Sequence, residues 1–403
     1  MSEWLAQPLG SLAAFQKGRK VETSGHPREG FAPYLGASAI SGVVEEYGDM
    51  RAGVIAAPGE VLMLWDGERS GLVGKAQAGV ISSTVARLSP KTDVECEYLY
   101  YALDFKFEWI QGRRTGTGVP HVPKDLARIL SISYPKSKSE QRRIAEILST
   151  LDDAIAQTEA LIAKHQQIKA GLMHDLFTRG VTSDGHLRPT REQAPDLYKE
   201  SPLGWIPKEW EISQLGEVAE VNRGKFTIRP RNDLRFYGGQ YPFIQTGDVS
   251  LANGRVLSTF SQTLNQSGLA VSRLFDEGTI MVTIAANIAD TCVLGLPMCA
   301  PDSLVGVLPN KGQVSRFLQL CISRRKSWLE ARAPQTAQKN INLEDLRPLL
   351  IPTPCQHEQE AIAAIYECVD FSLAESEQMV GKLRQQKYGL MHDLLTGRMR
   401  VNV

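Results

Sequence analysis

The stretch GLMHDL at residues 171–176 occurs again, letter for letter, at residues 389–394, which is 218 residues further along the chain. The same offset places Glu140-Gln141 on Glu358-Gln359. A match without gaps over about 40 residues is far beyond chance, so this constant segment is duplicated.

The regions that precede the two constant segments also correspond, although more loosely. Trp4 matches Trp210 at an offset of 206, and Gly59 matches Gly278 at an offset of 219. A drifting offset indicates insertions and deletions, which accumulate in loops on a shared scaffold. The chain therefore alternates a variable unit with a constant segment, twice.

The constant segments are predicted to be long helices. Residues 140–177 contain no proline and a single glycine, Gly171, and their apolar residues recur at intervals of three and four, which is typical of one helical face. Ile168 falls in the same run. The coiled-coil stripe predicted from both copies consists of Ile144, Leu148, Leu151, Ile155, Ile162, Leu172, Leu176, Ile362, Val369, Leu373, Val380, Leu383, Leu390 and Leu394.

A helix of this length, about 57 Å at 1.5 Å per residue, needs a partner along its single apolar stripe. The other copy in the same chain is the expected partner, in an antiparallel pair. Pairing between two molecules, or packing on a globular core, are the alternatives.

Each variable unit, of about 140 residues, is large enough for a core of its own. Runs rich in valine, isoleucine and leucine, bounded by glycine and proline, predict strands. Together with intervening helices they predict an α+β fold. The predicted strand regions are 53–65, 78–90, 278–286 and 302–310, and the predicted helices are Glu95–Gln111 and Val314–Arg332.

Basic residues cluster in both units next to aromatic and amide side chains. This pattern fits contact with DNA, to phosphates first and base edges second, while a solvated charged face is the alternative. Within residues 223–235 of the second unit, only Asp233 opposes the arginines. The predicted DNA-binding residues are Lys17, Arg19, Lys20, Arg113, Arg114 and Thr115 in the first unit, and Arg223, Lys225, Arg229, Arg231, Arg235, Tyr237, Lys339 and Asn340 in the second.

The composition and the motifs argue against chemistry on this chain. Of 403 residues, 45 are Lys or Arg and 45 are Asp or Glu, so the net charge is zero and a uniformly basic surface is excluded. There is no phosphate-binding GxxxxGK[ST], no N-P-P-aromatic tetrapeptide, and no cysteine or histidine grouping with metal-ligand spacing. We expect no catalytic residue and no metal ligand.

The sequence shows neither a signal-peptide pattern at its start nor an apolar run long enough for a membrane span, so we expect a cytoplasmic protein without membrane contact. Two other functions stay open at this point. One is a methyltransferase or nuclease with degenerate motifs, and the other is a coiled-coil scaffold whose basic patches are incidental.

Further motifs accompany the repeat: SEQRRIAEIL at 139–148, HEQEAIAAI at 357–365, SPLGWIPKEW at 201–210, YGGQYPFIQTGDV at 237–249 and QKNINLEDL at 338–346. In this combination the chain resembles the specificity (S) subunit of type I restriction-modification systems over nearly its whole length. The first unit lacks a clear counterpart of YGGQYPFI, and GASAISG at 36–42 is its candidate.

The resemblance implies two tandem α/β target recognition domains, separated by two long antiparallel helices that form an intramolecular coiled coil with pseudo-twofold symmetry. It implies a non-catalytic chain that recognises a bipartite sequence in double-stranded DNA. The expected partners are two modification (methyltransferase) subunits and restriction (translocase and nuclease) subunits, with S-adenosylmethionine, ATP and Mg bound by those partners and no cofactor on this chain. The expected segments are recognition domains at 1–138 and 209–354, spacer helices at 139–180 and 355–397, and a linker at 181–208.

Overall fold

The structure, a computed structural model, describes residues 3–91, 93–116, 118–285, 287–333 and 340–402. The chain divides into two compact units. The first unit combines Met1–Ile162 with Glu375–Val403, and the second is Ala163–Ala374. Each unit therefore contains one variable segment and a part of each long helix.

The first unit is built on two sheets. One is antiparallel with the order β2-β10-β7-β8, the other has the order β3-β5-β4-β9-β6, and β1 pairs with β11 just before the long helix α6. Its strands are β1 (Trp4–Pro8), β2 (Ala13–Lys17), β3 (Thr23–Ser24), β4 (Phe31–Leu35), β5 (Tyr47–Asp49), β6 (Val54–Ala56), β7 (Val61–Leu64), β8 (Val73–Lys75), β9 (Gly79–Ile81), β10 (Val85–Pro90) and β11 (Ser131–Pro135). Its helices are α1 (Leu9–Leu12), α2 (Ala37–Ile40), α3 (Cys96–Phe105), α4 (Phe107–Gln111), α5 (Leu126–Ile129) and the first part of α6 (Lys138–Thr178).

The second unit repeats this plan with sheets ordered β15-β23-β20-β21-β17 and β18-β16-β22-β19, a β14-β24 pair before the long helix α13, and an added β12-β13 hairpin. Its strands are β12 (Tyr198–Ser201), β13 (Gly204–Pro207), β14 (Glu211–Gln214), β15 (Ala219–Arg223), β16 (Tyr237–Phe243), β17 (Val256–Leu257), β18 (Gln262–Leu264), β19 (Arg273–Phe275), β20 (Ile280–Thr283), β21 (Thr291–Leu294), β22 (Met298–Ala300), β23 (Leu304–Pro309) and β24 (Leu350–Thr353). Its helices are α7 (Leu215–Val218), α8 (Thr246–Ala252), α9 (Gln266–Val271), α10 (Ser315–Arg324), α11 (Lys326–Arg332), α12 (Leu343–Leu346) and the first part of α13 (Gln356–Leu395).

The two units share their central strands in the same order, because β2-β10-β7-β8 corresponds to β15-β23-β20-β21 and β1-β11 to β14-β24. The predicted α+β class and the internal repeat are confirmed. The two helices expected inside the variable units are each broken once, at Lys106 and at Arg325, which occupy equivalent positions.

The segment of the first unit that corresponds to YGGQYPF is not the one expected from the sequence. The comparison concerns the sheets β3-β5-β4-β9-β6 and β18-β16-β22-β19. Parallel pairing joins β4 to β9 in the first unit and β16 to β22 in the second. The counterpart of YGGQYPF is therefore β4, whose sequence is FAPYL. GASAISG spans the short helix α2, which follows β4 as α8 follows β16. The candidate match for GASAISG was wrong because a strand was compared with a helix.

Within the first unit, the start of α6 lies antiparallel to the end of α13. Asp152 Oδ1 is 2.7 Å from Lys387 Nζ, and Glu159 Oε1 is 2.6 Å from Arg384. The later residue of α6, Glu159, contacts the earlier residue of α13, Arg384, so the two helices run in opposite directions.

Within the second unit, the end of α6 lies antiparallel to the start of α13. Lys169 Nζ is 2.5 Å from Asp370 Oδ1, and the Val181 amide donates to Glu358 at 2.9 Å. Lys169 and Asp370 are the repeat equivalents of Lys387 and Asp152, so the same ion pair occurs in both units with the helices exchanged. The prediction of two antiparallel helices within one chain is confirmed.

The predicted apolar stripe faces inward in both helices. Half of its members are buried and the others are half-buried. Ile168 is an exception, since it is 45% exposed and lies outside the stripe. The buried members are Ile144, Leu148, Leu176, Ile362, Leu373, Val380 and Leu394.

A twin pair of glutamines ties each long helix to the unit that precedes it. Both Gln141 and Gln359 are fully buried. Gln141 Oε1 accepts from the Glu95 amide at 2.8 Å, and Gln359 Oε1 accepts from the Val314 amide at 3.0 Å. These bonds give a physical reason for the repeated Glu-Gln motif.

Among the residues described, no helix is both long enough and apolar enough to span a bilayer.

Candidate nucleic-acid interface

Three segments of the first unit converge beside the end of β2. Lys17 Nζ lies 2.7 Å from Asp66 Oδ2, and the other oxygen of Asp66 lies 2.7 Å from His121 Nδ1. Thr115 joins the cluster through its backbone, because the Thr115 and His121 amides donate to each other's carbonyls at 3.0 and 2.8 Å. We call Lys17, Asp66, Thr115 and His121 the first cluster.

A glycine after β2 fixes the position of Lys17. A Cβ on Gly18 would lie 2.2 Å from the carbonyl oxygen of Ile81, so no larger residue fits there. The equivalent Gly224, after Arg223, would place a Cβ 2.1 Å from the Pro301 carbonyl oxygen. Each unit therefore needs a glycine directly after the basic residue that ends its first central strand.

The other predicted basic residues of the first unit differ in their exposure to solvent and in their contacts. Arg19 and Lys20 are exposed. Arg113 is exposed and stacks 3.9 Å above the Trp109 ring. Arg114 is half-buried, and its guanidinium donates to the Gln111 and Glu68 carbonyls, so that this side chain holds two loops together.

In the second unit the arginines gather around an acid that lies far from them in the sequence. The Asp302 carboxylate pairs with Arg231 at 2.5 Å and with Arg229 at 3.4 Å, while Arg223 Nε donates to the Asp302 carbonyl at 2.6 Å. We call Arg223, Arg229, Arg231 and Asp302 the second cluster. Asp302, which is 71 residues from Arg231, therefore opposes these arginines in addition to Asp233, the one acid within their own stretch of sequence.

Arg235 projects from the same loop, with its guanidinium 2.6 Å from Asp233 and largely exposed. Tyr237 holds this loop from below, since its hydroxyl donates to the Arg231 carbonyl. Burial raises the pKa of Tyr237 although Arg231 opposes the effect, so the hydroxyl keeps its proton and remains a donor.

Two of the three remaining predicted residues of the second unit lie at its surface. Lys225 and Asn340 are exposed. The backbone of Asn340 bridges to Ala285. Lys339 lies outside the described residues.

The structure adds Asp66, His121 and Asp302 to the residues that the sequence predicted. The repeat contained the signal for His121, because an offset of 219 maps the predicted Asn340 onto it. The same offset maps Ala285, which was not a predicted site residue, onto Asp66. The structure shows the same backbone bridge in both units, between Asp66 and His121 and between Ala285 and Asn340. No comparable signal pointed to Asp302.

Within the described part of the chain, no group of three or more histidine, cysteine, aspartate or glutamate side chains is arranged to hold a metal ion. The acids of both clusters are instead engaged by lysine, arginine or histidine. The arrangement provides fixed cations and hydrogen-bonding groups, which suit binding to a polyanion.

Known proteins resemble this chain along its whole length. A family model described as the type I restriction modification DNA specificity domain matches residues 1–167 and 207–378. The specificity subunit of the type I restriction enzyme MjaVIII from Methanocaldococcus jannaschii is 27% identical, over 99% of this chain and 93% of that protein. The EcoBI specificity subunit from Escherichia coli is 22% identical, over 93% of this chain and 80% of that protein.

Solved structures show the same fold. The S subunit of a type I restriction-modification system from M. genitalium superimposes with a TM-score of 0.68 at 16% identity, covering 98% of this chain and 96% of that one. A chain from a study of complex assembly and conformational transition of the type I R-M system gives a TM-score of 0.54 at 17% identity, with 97% of each chain covered.

The matched family model spans both variable units and most of both long helices. The alternatives of a degenerate enzyme and of an unrelated scaffold are not favoured. The chain therefore belongs to the type I restriction-modification DNA specificity family, and it is a specificity subunit rather than an enzyme in its own right.

Proposed function

We propose that each unit of this chain reads one half of a bipartite target in double-stranded DNA, and that the chain thereby directs the modification subunits to that target. One observation carries the proposal. A basic residue, Lys17 or Arg223, ends the first central strand at the same place in both units, and a glycine with no room for a Cβ follows it.

The exposed cations around the two clusters and the fixed side chains within them suit different roles in DNA binding. Exposed cations such as Arg19, Lys20, Lys225 and Arg235 neutralise phosphates and release counterions, so binding weakens steeply as salt is added. Side chains held in fixed orientations at the clusters then meet base edges in the major groove, where each good contact discriminates by about 1–3 kcal/mol.

Each segment of the chain has its own role in this function. Residues 1–138 and 209–354 form the recognition domains, 181–208 form a linker, and the helices at 139–180 and 355–397 form the spacer. The proposed partners are two modification subunits and, in the complete system, restriction subunits. S-adenosylmethionine, ATP and Mg belong to those partners, and the complex acts in the cytoplasm.

The spacer role makes the gap of the target depend on helix length. Seven residues inserted in both long helices, after Ile162 and after Ala374, add about 10 Å of helix, which corresponds to about three base pairs. Methylation of targets with altered gaps then shows a preference for a gap longer by about three base pairs. An unchanged preference contradicts the spacer role.

The function itself is tested by methyl transfer from labelled S-adenosylmethionine to DNA. The modification subunit with this chain is expected to methylate a bipartite target, whereas this chain alone and the modification subunit alone are expected to leave the DNA unlabelled. Labelling by this chain alone contradicts the proposal.

A further inference from the structure

His121 is held within the first cluster both through its side chain and through its backbone. Its Nδ1 lies 2.7 Å from Asp66, whose other carboxylate oxygen is bound by Lys17, while the imidazole remains 46% exposed. The backbone is fixed as well, since the His121 amide donates to the Thr115 carbonyl at 2.8 Å. A side chain that is both fixed and half-exposed beside a basic strand end is placed to meet a ligand.

The repeat puts a second polar side chain at the same place. Asn340 corresponds to His121, and both residues make the equivalent backbone bridge, to Ala285 and to Asp66 respectively. An amide presents an acceptor and a donor whatever its surroundings, whereas a neutral imidazole presents its acceptor on either of two nitrogens. His121 therefore needs a neighbouring carboxylate to fix which ring nitrogen is the acceptor. Asn340 needs no such partner, and its neighbour is Ala285.

The hydrogen bond to Asp66 decides which nitrogen accepts. The carboxylate accepts the Nδ1 proton, so Nε2 of the neutral ring carries the free lone pair. In the major groove of DNA, hydrogen-bond donors are the exocyclic amino groups of adenine and cytosine. An acceptor fixed at this position therefore matches an amino-bearing base.

We propose that His121 determines specificity in the first unit by accepting a hydrogen bond from the amino group of an adenine or a cytosine, and that Asp66 is a positioning residue that acts through it. This inference rests on the proposed function. It goes further by naming the residue and the chemical group that it reads.

The test uses the complex with the modification subunit and duplexes that carry its bipartite target. The base pairs of both half-sites are changed one at a time, and methylation rates are compared for the native chain and His121→Ala. The variant is expected to lose discrimination at one base pair by about 10- to 100-fold, with the other positions unchanged. Asn340→Ala is expected to relax one position in the opposite half-site.

Two base analogues then identify the group. Purine in place of adenine, or 2-pyrimidinone in place of cytosine, removes the exocyclic amino group alone. At the position that His121 controls, one analogue is expected to slow the native complex and to have no further effect on His121→Ala. Equal slowing of both complexes contradicts the proposed contact.

Variants of Asp66 separate positioning from folding. Asp66→Ala is expected to relax the same base pair as His121→Ala, and Asp66→Asn, which retains an acceptor for Nδ1, is expected to restore discrimination in part. His186→Ala is the matched control, since His186 is exposed and lies 4.0 Å from Asp184 in the other unit. If the His121→Ala chain does not assemble with the modification subunit, His121→Asn replaces it in the test. The His121→Asn complex is expected to accept adenine and to reject cytosine at that position.

The remaining outcomes are decisive as well. A uniform loss on all targets identifies a phosphate contact and overturns the inference, and so does an unchanged profile. A native complex without preference for a bipartite target refutes the proposed function itself, whereas a native preference that His121 variants leave intact refutes the inference alone.

Discussion

Glu140 and Arg400 lie 260 residues apart in the sequence, and their side chains form an ion pair with 2.6 Å between Oε1 and Nε. The second unit repeats the arrangement, with Glu358 bound by Arg188. In each case a glutamate in the first turn of one long helix pairs with an arginine that follows the end of the other. The repeat thus joins the two helices by the same device in both units.

Loss of the Glu358 carboxylate is expected to destabilise the second unit strongly. Glu358 is bound by Arg188 and by the Val181 amide, and both charged side chains are about nine-tenths buried. Removal of Glu358 leaves Arg188 with the largely exposed Glu209 in place of a buried counter-ion, and breaking a buried pair costs about 3–5 kcal/mol. Glu358→Ala should therefore lower the urea midpoint markedly.

Glu209→Ala is the control for that experiment. Glu209 contacts the same Arg188 at 2.8 Å but is largely exposed, so its loss is expected to cost less than about 1 kcal/mol. Equal midpoints for the two variants would show that the buried pair contributes little.

The stabilising effect of Asp370 is expected to vanish in acid. Burial alone would raise the pKa of Asp370, but hydrogen bonds from Lys169 and Arg255 outweigh it and hold the pKa below the usual 3.8. A lowered pKa in the folded state contributes stability above the unfolded value, and this contribution disappears as the pH falls through the folded value.

Asp370→Asn should therefore lower the melting temperature at neutral pH, and the difference from the native chain should narrow below pH 3.8. Asp152→Asn, at the equivalent position in the first unit, should cost less because the Asp152 carboxylate is more exposed. A difference for Asp370→Asn that stays constant into acid would rule out this role of the carboxylate.

Arg235 is expected to contact phosphate. Its side chain is more exposed than those of Arg229 and Arg231. Arg235→Ala should therefore weaken binding alike on all DNA sequences and reduce the slope of log affinity against log salt by about one. Filter binding of the complex at several salt concentrations measures that slope.

Arg324→Ala serves as the comparison, because the Arg324 guanidinium donates to the Met173 carbonyl and stacks over Phe177. Its slope should match that of the native chain. A changed slope for Arg324→Ala and a native slope for Arg235→Ala would reverse the assignment of the interface.

Asp302 is expected to restrain the arginines of the second cluster. Asp302→Ala removes the negative charge that pairs with Arg229 and Arg231, so non-specific affinity should rise while the preference for the target falls. Competition between target and random duplexes measures both quantities. A variant with undiminished preference would show that the two arginines do not need this anchor for base recognition.

Much of the fold could be predicted because its signals are periodic. The repeated GLMHDL, the absence of proline from residues 140–177 and the three-four spacing of apolar residues predicted the long helices. The breaks in the two shorter helices were harder to predict from the sequence, because the breaks at Lys106 and Arg325 involve neither proline nor glycine.

The clusters could be predicted only in part. Runs of arginine and lysine are local patterns, whereas the contact between Asp66 and His121 joins residues 55 positions apart. Such pairings depend on how strands are ordered in a sheet, which local periodicity does not encode. The repeat offset was the one sequence signal that did not depend on local patterns. It identified His121 as the equivalent of the predicted residue Asn340.

The most direct measurement is to map methylated adenines in the genome of cells that contain the modification subunit, with and without this chain. We predict a bipartite motif that appears only with the chain and that changes in one half when the residues of a single unit are exchanged. A continuous motif, or the same methylation without this chain, would contradict the account.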